Sequence, residues 1–290
     1  MITAQIFWQS FINGILMGGI YALVAVGLTL IYGVMNIMNF AHGEFLMLGM
    51  YISYWAFTLL GIDPYLSVVI AFLILFLIGT LIEKTMIEPV LKGQPLNQLL
   101  LTIGISLFLS NMAVFLWSSD NRSLQTTYSN TSFNLGNIVL HEPRLVAFLF
   151  AVVISIVLYI FLQKTKIGKG IRAASQHKEG ALLVGIDVKK SYMIAFGIGV
   201  ACAGIAGVLL SPFFYINPTV GAAFSFTAYV IVVLGTMGNF VGALIGGLII
   251  GIAEAIGGIV FMPSLKQVIS FGIFILVLLF KPTGLFGGQQ

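Results

Sequence analysis

The sequence predicts an all-α fold, a polytopic transmembrane helix bundle of about 8–9 membrane segments including a short or broken one, in one domain over residues 1–290. Three observations predict it. Only 8% of the residues are charged and 59% are hydrophobic, whereas an average soluble domain carries roughly 25% charged residues. The apolar residues gather into runs of about 17–25, the length an α-helix needs to cross a hydrocarbon core of about 30 Å. Those runs lack the alternation of a membrane β-barrel.

Polar breaks separate candidate spans near 7–32, 40–60, 65–82, 97–117, 145–162, 192–211, 226–238, 241–261 and 266–281. The first begins "ITAQIFWQSFINGILMGG" without a short basic region or an A-x-A cleavage site, so it is expected to stay in the mature protein. The seventh is too short to cross comfortably. Cys202, the single cysteine, sits in the sixth run, "MIAFGIGVACAGIAGVLL". It reads as a small packing residue and excludes intrachain disulfides and cysteine-based metal sites.

Residues 118–144 form a polar outer loop rich in Ser, Thr and Asn, with no catalytic constellation. Its "NRS" and "NTS" triplets match a glycosylation acceptor pattern that is common by chance. His141 and Glu142 beside Pro143 read as a turn rather than a metal site.

Orientation follows from Lys and Arg, which favour short cytoplasmic loops. Placing 83–96 and 163–191 inside, with Lys281, puts ten of the 13 basic residues there. Arg122, Arg144 and Lys266 stay outside. The N-terminus is then outside and the C-terminus inside, provided 226–238 crosses rather than turns back.

Three places carry polar chemistry. In "MNIMNFAHGEFLMLG", Asn39 can cap a helix whose first turn holds His42 and Glu44, where acceptors suit the free N–H groups and the positive dipole end. That stretch is either a polar helix start or a broken helix beside a path, because irregular backbone at membrane depth is tolerated only inside protein or beside water. Glu254 lies about 13 residues, roughly 20 Å, along its span and should face protein or water rather than lipid. Around it Gly242, Gly246, Gly247 and Gly251 follow a four-residue spacing that lets helices approach closely; with no Walker lysine they are packing residues rather than a phosphate loop. The third place is 163–191, basic but with Ile171, Ala174, Ala181, Leu182, Val184 and Ile186 among its charges and ending at Gly185. It reads as a short amphipathic element that docks on a soluble partner. "GVMNIMNFAHG" and "GTMGNFVGALIGG" also share Gly, Met and an Asn-Phe pair, a hint of the repeated broken helices found in transporters.

"GLTLIYGVMNIMNFAHGEFLMLGMY", "GKGIRAASQHKEGALLVGIDVKK", "AFGIGVACAGIAGVLL" and "LGTMGNFVGALIGGLIIGIAEA" resemble, in order and over nearly the whole chain, the LivH-type permease subunits of branched-chain amino acid ABC transporters. The resemblance implies half of a translocation path, with Asn39 through Glu44 matching the family's "NFAHGE". It also implies a second related permease subunit, two cytoplasmic ATPase subunits and an extracytoplasmic substrate-binding protein. ATP would bind the separate subunit, so no cofactor is expected here, and the setting would be the cell (inner or plasma) membrane. The loop resembles the family's "EAA" element, with Arg172 in its basic start and Glu179, Gly180, Ala181 and Gly185 in place; Gly180 replaces an alanine, which weakens the helix by about 1 kcal/mol. Permeases for urea and short amides share the scaffold. The intramembrane Glu and His support a competing class, a self-contained channel or ion-coupled carrier. An enzyme is disfavoured, for no Ser–His or Cys–His pair and no HExxH pattern is present.

Overall fold

The computed structural model describes residues 4–129, 131–135, 138–261 and 266–287. Asn130 of the "NTS" triplet and the two extremes of the 1–290 domain lie outside the described residues. In chain order the elements are α1 (Ala4–Met35), α2 (His42–Leu60), α3 (Ser67–Ile82) running through a π-turn (Glu83–Ile87) into α4 (Glu88–Val90), and α5 (Pro95–Trp117). A hairpin of β1 (Ser132–Leu135) and β2 (Ile138–His141) precedes α6 (Glu142–Lys164), α7 (Lys166–Gln176), α8 (Lys178–Leu183) and α9 (Val188–Leu210). The chain closes with α10 (Val220–Leu234), α11 (Phe240–Val260) and α12 (Lys266–Phe280). Among the described residues seven helices, counting α3 with its extension to Val90 as one, are long and apolar enough to cross a membrane, and α10 and α12 are shorter apolar helices. The fold is a helical membrane bundle.

Side-chain size sorts the helices. The apolar windows of α1 and α9 are 83% and 89% buried, against 22% for those of α3 and α5. Both central helices are rich in Gly and Ala, and their backbones nearly touch: a Cβ on Gly27 would stand 2.5 Å from the Gly199 carbonyl oxygen, and one on Gly199 2.6 Å from that of Gly27. Gly49 of α2 meets Gly204 of α9, and Gly14 and Gly18 of α1 meet the backbone of α11 around Gly251. Lipid is as apolar as leucine, so helices in a membrane associate through such close packing rather than through hydrophobic exclusion. The peripheral helices instead expose Leu73, Leu77, Phe108, Phe115, Val153 and Ile160.

Four stretches differ from the sequence expectation. The helix expected to end near 82 continues to Val90, because "EKTMIEP" offers no glycine and its Glu83 is tucked inside, 1% exposed. The segment expected at 226–238 is the helix Val220–Leu234. Gly235 and Met237 look apolar to a hydropathy average, yet Thr236 at φ 74° and Gly238 at φ 83° turn the chain there. His141 and Glu142 form a strand-to-helix junction instead of a turn, with Pro143 in the first turn of α6 and Glu142 accepting from the Thr131 hydroxyl. The segment before them, read only as a polar outer loop, carries the antiparallel hairpin, Ser132 opposite His141.

The two ends of the bundle differ in composition. At one end Ser175 Oγ of α7 donates to the Gly33 carbonyl at 2.5 Å, and Leu285 N donates to Leu234 O at 2.8 Å. At the other end the 118–144 loop is pinned by Arg122 N to Ile216 O at 2.9 Å and by Gln9 Nε2 to Val139 O at 2.7 Å. There Tyr128 Oη donates to Asp63 Oδ2 at 2.9 Å. Burial, aided by that carboxylate, pushes the Tyr128 phenol above its ordinary range.

Candidate functional site

The helix α1 stops at Met35 because Asn36 takes a left-handed conformation, φ 55°, which asparagine tolerates better than most side chains. Residues 36–41 are not helical, yet Ile37, Asn39 and Ala41 are 1%, 1% and 0% exposed. Unpaired backbone in such a place costs about 1–3 kcal/mol per group, so the break depends on its partners. Thr102 Oγ1 of α5 donates to the Met38 carbonyl at 3.2 Å, and His42 N donates to Asn39 O at 3.1 Å. The Asn39 side chain accepts from Ala41 N at 3.2 Å. It therefore closes the turn before α2, whose own N-cap is Ala41 without a side-chain cap; the expected cap by Asn39 is displaced because two further residues separate it from the helix.

Neighbouring helices hold the first turn of α2 on every side. His42 Nε2 lies 3.0 Å from the Val24 carbonyl of α1, a residue roughly 16 Å from the end of that helix at 1.5 Å per residue. Gly43 N donates to Ser225 Oγ of α10 at 2.8 Å, and Ser106 Oγ of α5 donates to Glu44 Oε1 at 3.2 Å. His42 and Glu44 are 0% and 3% exposed. Glu44 Oε2 faces Gly221 of α10, where a Cβ would stand 2.6 Å away.

The second Asn-Phe segment is also a helix break. Between α10 and α11 the chain turns at Thr236 and Gly238, and Asn239 Oδ1 accepts from Gly242 N at 3.0 Å as a true cap of α11. A threonine at positive φ is strained; here its Oγ1 donates to Thr283 O at 2.9 Å. The last turn of α1 abuts this second break, for a Cβ on Gly33 would lie 3.1 Å from Gly238 Cα.

Glu254 occupies a different place from Glu44. Tyr21 Oη of α1 donates to its Oε2 at 2.8 Å and Ser270 Oγ of α12 to its Oε1 at 2.5 Å. It lines a cavity of about 410 Å³ together with Arg144, Phe213, Phe224, Thr227 and Lys266. A second cavity of about 730 Å³, walled by the 118–144 loop, shares Arg144, Phe213 and Phe214 with the first. The two cavities lie on either side of these shared residues at the loop end of the bundle. The helix α10 separates Glu44 from the cavity that Glu254 lines: Gly221 and Ser225 face the first turn of α2, while Ala223 and Thr227 face the cavity, faces about 160° apart at 100° per residue. So the four expected path residues divide into a packed group, Asn39, His42 and Glu44, and a cavity residue, Glu254. The sequence reading missed Tyr21, Phe213 and Phe214, and took Arg144 only as an orientation charge.

The basic segment after α6 folds into α7 and α8. Thr165 Oγ1 caps α7 by accepting from Gly168 N at 3.0 Å, and His177 Nδ1 caps α8 by accepting from Gly180 N at 2.9 Å. Arg172 Nε donates to the Leu162 carbonyl at 3.0 Å, tying α7 to the end of α6. Ile171, Ala174 and Ala181 are buried, whereas Glu179 is exposed and Leu182, Leu183 and Val184 are 54%, 88% and 75% exposed. Gly185, at φ 79°, turns the chain toward α9, a conformation that other side chains adopt only with strain.

Comparison with known proteins gives a consistent result. The family described as the branched-chain amino acid transport system permease component matches residues 10–278. The high-affinity branched-chain amino acid transport system permease protein BraD of Pseudomonas aeruginosa is 34% identical over 297 residues, 97% of this chain and 96% of the relative. The corresponding LivH protein of Escherichia coli K12 is 35% identical over 298 residues, 98% and 96% of the two chains. The probable LivH of Methanocaldococcus jannaschii is 30% identical over 294 residues, 95% and 91%. No solved structure matches significantly.

Proposed function

The chain belongs to the family of branched-chain amino acid transport system permease components, and we propose that it is one membrane subunit of an ATP-binding-cassette importer, forming half of the path for branched-chain or other amino acids. The observation that carries the coupling half of this reading is the exposed apolar run Leu182–Leu183–Val184 at the end of the capped helix α8, whose Ala181 is buried. An apolar ridge held that firmly at a basic end of the bundle suits a groove on a cytoplasmic ATPase. Two such ATPase subunits bind the ATP, and this chain supplies no cofactor and no catalysis of its own. A second related permease subunit closes the cavity beside Glu254, and an extracytoplasmic binding protein delivers ligand to the loop end.

In this reading the protein lies in the inner or plasma membrane with nine segments, α10 and α12 included. The hydrogen bonds of Asn217 to Asn121 just before α10 and of Leu234 to Leu285 at its other end support a crossing α10. The N-terminus is then outside and the C-terminus cytoplasmic. Replacing Leu183 and Val184 together with Asp should abolish co-purification of the ATPase subunits while the chain still inserts. Undiminished co-purification would contradict docking at this face, and leucine uptake by the chain without ATPase subunits would favour a self-contained carrier.

A further inference from the structure

The cavity beside Glu254 carries charges of both signs over an apolar wall. Arg144, in the first turn of α6, lines both cavities. Its guanidinium lies 5.6 Å from the centre of the Phe213 ring and makes no hydrogen bond or ion pair among the described residues. Glu254 lines the inner cavity alone. Its two oxygens each accept one hydrogen bond, from Tyr21 and Ser270, out of about four acceptor positions that a carboxylate offers. Both donors hold the carboxylate still without exhausting it. Lys266 adds a second cation to the same lining, so the cavity has one positive charge more than it has negative. Phe213, Phe214 and Phe224 line the same cavity, the last two in an edge-on contact at 5.6 Å. The volume of about 410 Å³ falls in the range of small-molecule sites.

We propose that this cavity is a transient site for a zwitterionic α-amino acid with an apolar side chain, its carboxylate on Arg144, its ammonium on Glu254 and its side chain against the three phenylalanines. The proposal rests on the permease reading and names where in this chain the ligand pauses. A ligand carboxylate balances the surplus cation, and the ammonium uses the acceptor positions that Tyr21 and Ser270 leave. An anion without an ammonium, or an amine without a carboxylate, meets only half of the site. Arg144 is shared with Phe213 and Glu254 with two hydroxyls, so the grip is loose, as passage requires. Nothing in the packed group around Glu44 offers the same: its carboxylate is shut behind Gly221 on the far face of α10.

The test uses the complete complex in lipid vesicles, with L-leucine as the probe, measuring uptake and ATP hydrolysis stimulated by leucine-loaded binding protein on the same preparation. Arg144→Gln and Glu254→Gln should each lower uptake about tenfold, the loss expected for one charge-assisted contact. Stimulated hydrolysis should stay within about twofold, so that less leucine enters per ATP, and Arg144→Lys should restore most of the uptake. Because Arg144 makes no hydrogen bond in the described fold, its variant carries the test even if Glu254→Gln is poorly inserted. A wild-type ratio of leucine to ATP in Arg144→Gln would overturn the site and leave the permease reading standing. A wild-type complex showing neither uptake nor stimulated hydrolysis with leucine would overturn both.

Discussion

Glu44 is a carboxylate buried in the first turn of α2. One oxygen accepts from Ser106 at 3.2 Å, and the other has no hydrogen-bond partner among the described residues. The residue is 3% exposed, so it acts on the packing of α2 against α5 and α10. Glu44→Gln keeps the size and one acceptor, and should insert normally while lowering leucine uptake by about threefold to tenfold, the effect of weakening one buried hydrogen bond. Asn39→Leu removes the acceptor for Ala41 N in a buried turn, and should cost about 1–3 kcal/mol. Its yield of assembled complex and its melting temperature should both fall, and wild-type yield and uptake in both variants would contradict this account. The "NFAHGE" motif was legible because polar groups inside an apolar run stand out. Tyr21 and Arg144 were not. Tyr21 looks like one aromatic among apolar neighbours, and its bond to Glu254 joins residues 233 positions apart. Arg144 looks like a flanking charge until Phe213 is brought beside it.

At the scale of elements, hydropathy located the helices but placed their ends poorly where glycine and backbone conformation decide. The turn at Thr236 and Gly238 is set by φ, not by polarity, which is why the segment read at 226–238 is the helix at 220–234. The motif pair "GVMNIMNFAHG" and "GTMGNFVGALIGG" shows both what the pattern revealed and what it hid. Each interrupts a helix, but only Asn239 caps the helix that follows. Between α2 and α9, Gly49 and Gly204 let the backbones touch. A Gly49→Leu side chain would have to displace a backbone, beyond the roughly 1–3 kcal/mol of ordinary overpacking, so no assembled complex should survive solubilisation; a stable complex would contradict the close packing. For the α7–α8 pair, Glu179→Arg alters an exposed charge and Gly185→Trp strains the φ 79° turn. Both variants should assemble yet hydrolyse ATP with little leucine uptake, and normal coupling in both would remove the docking role from this segment.

For the whole molecule, the account assigns the 118–144 loop and the cavities below it to the outside, and α7, α8 and the two helix breaks to the cytoplasm. In a Cys202→Ala background, Thr127→Cys should react with a membrane-impermeant thiol reagent in intact cells, and Lys178→Cys only after permeabilisation. The reverse pattern would invert the orientation. The central claim is that this bundle does no chemistry and moves amino acids only when ATPase subunits sit on its cytoplasmic face. It is tested most directly by leucine uptake into vesicles reconstituted with this chain, its partner permease and the binding protein, with and without the ATPase subunits and ATP. The account predicts uptake against a gradient only when both ATPase and ATP are present, and uptake of equal rate without them would contradict it.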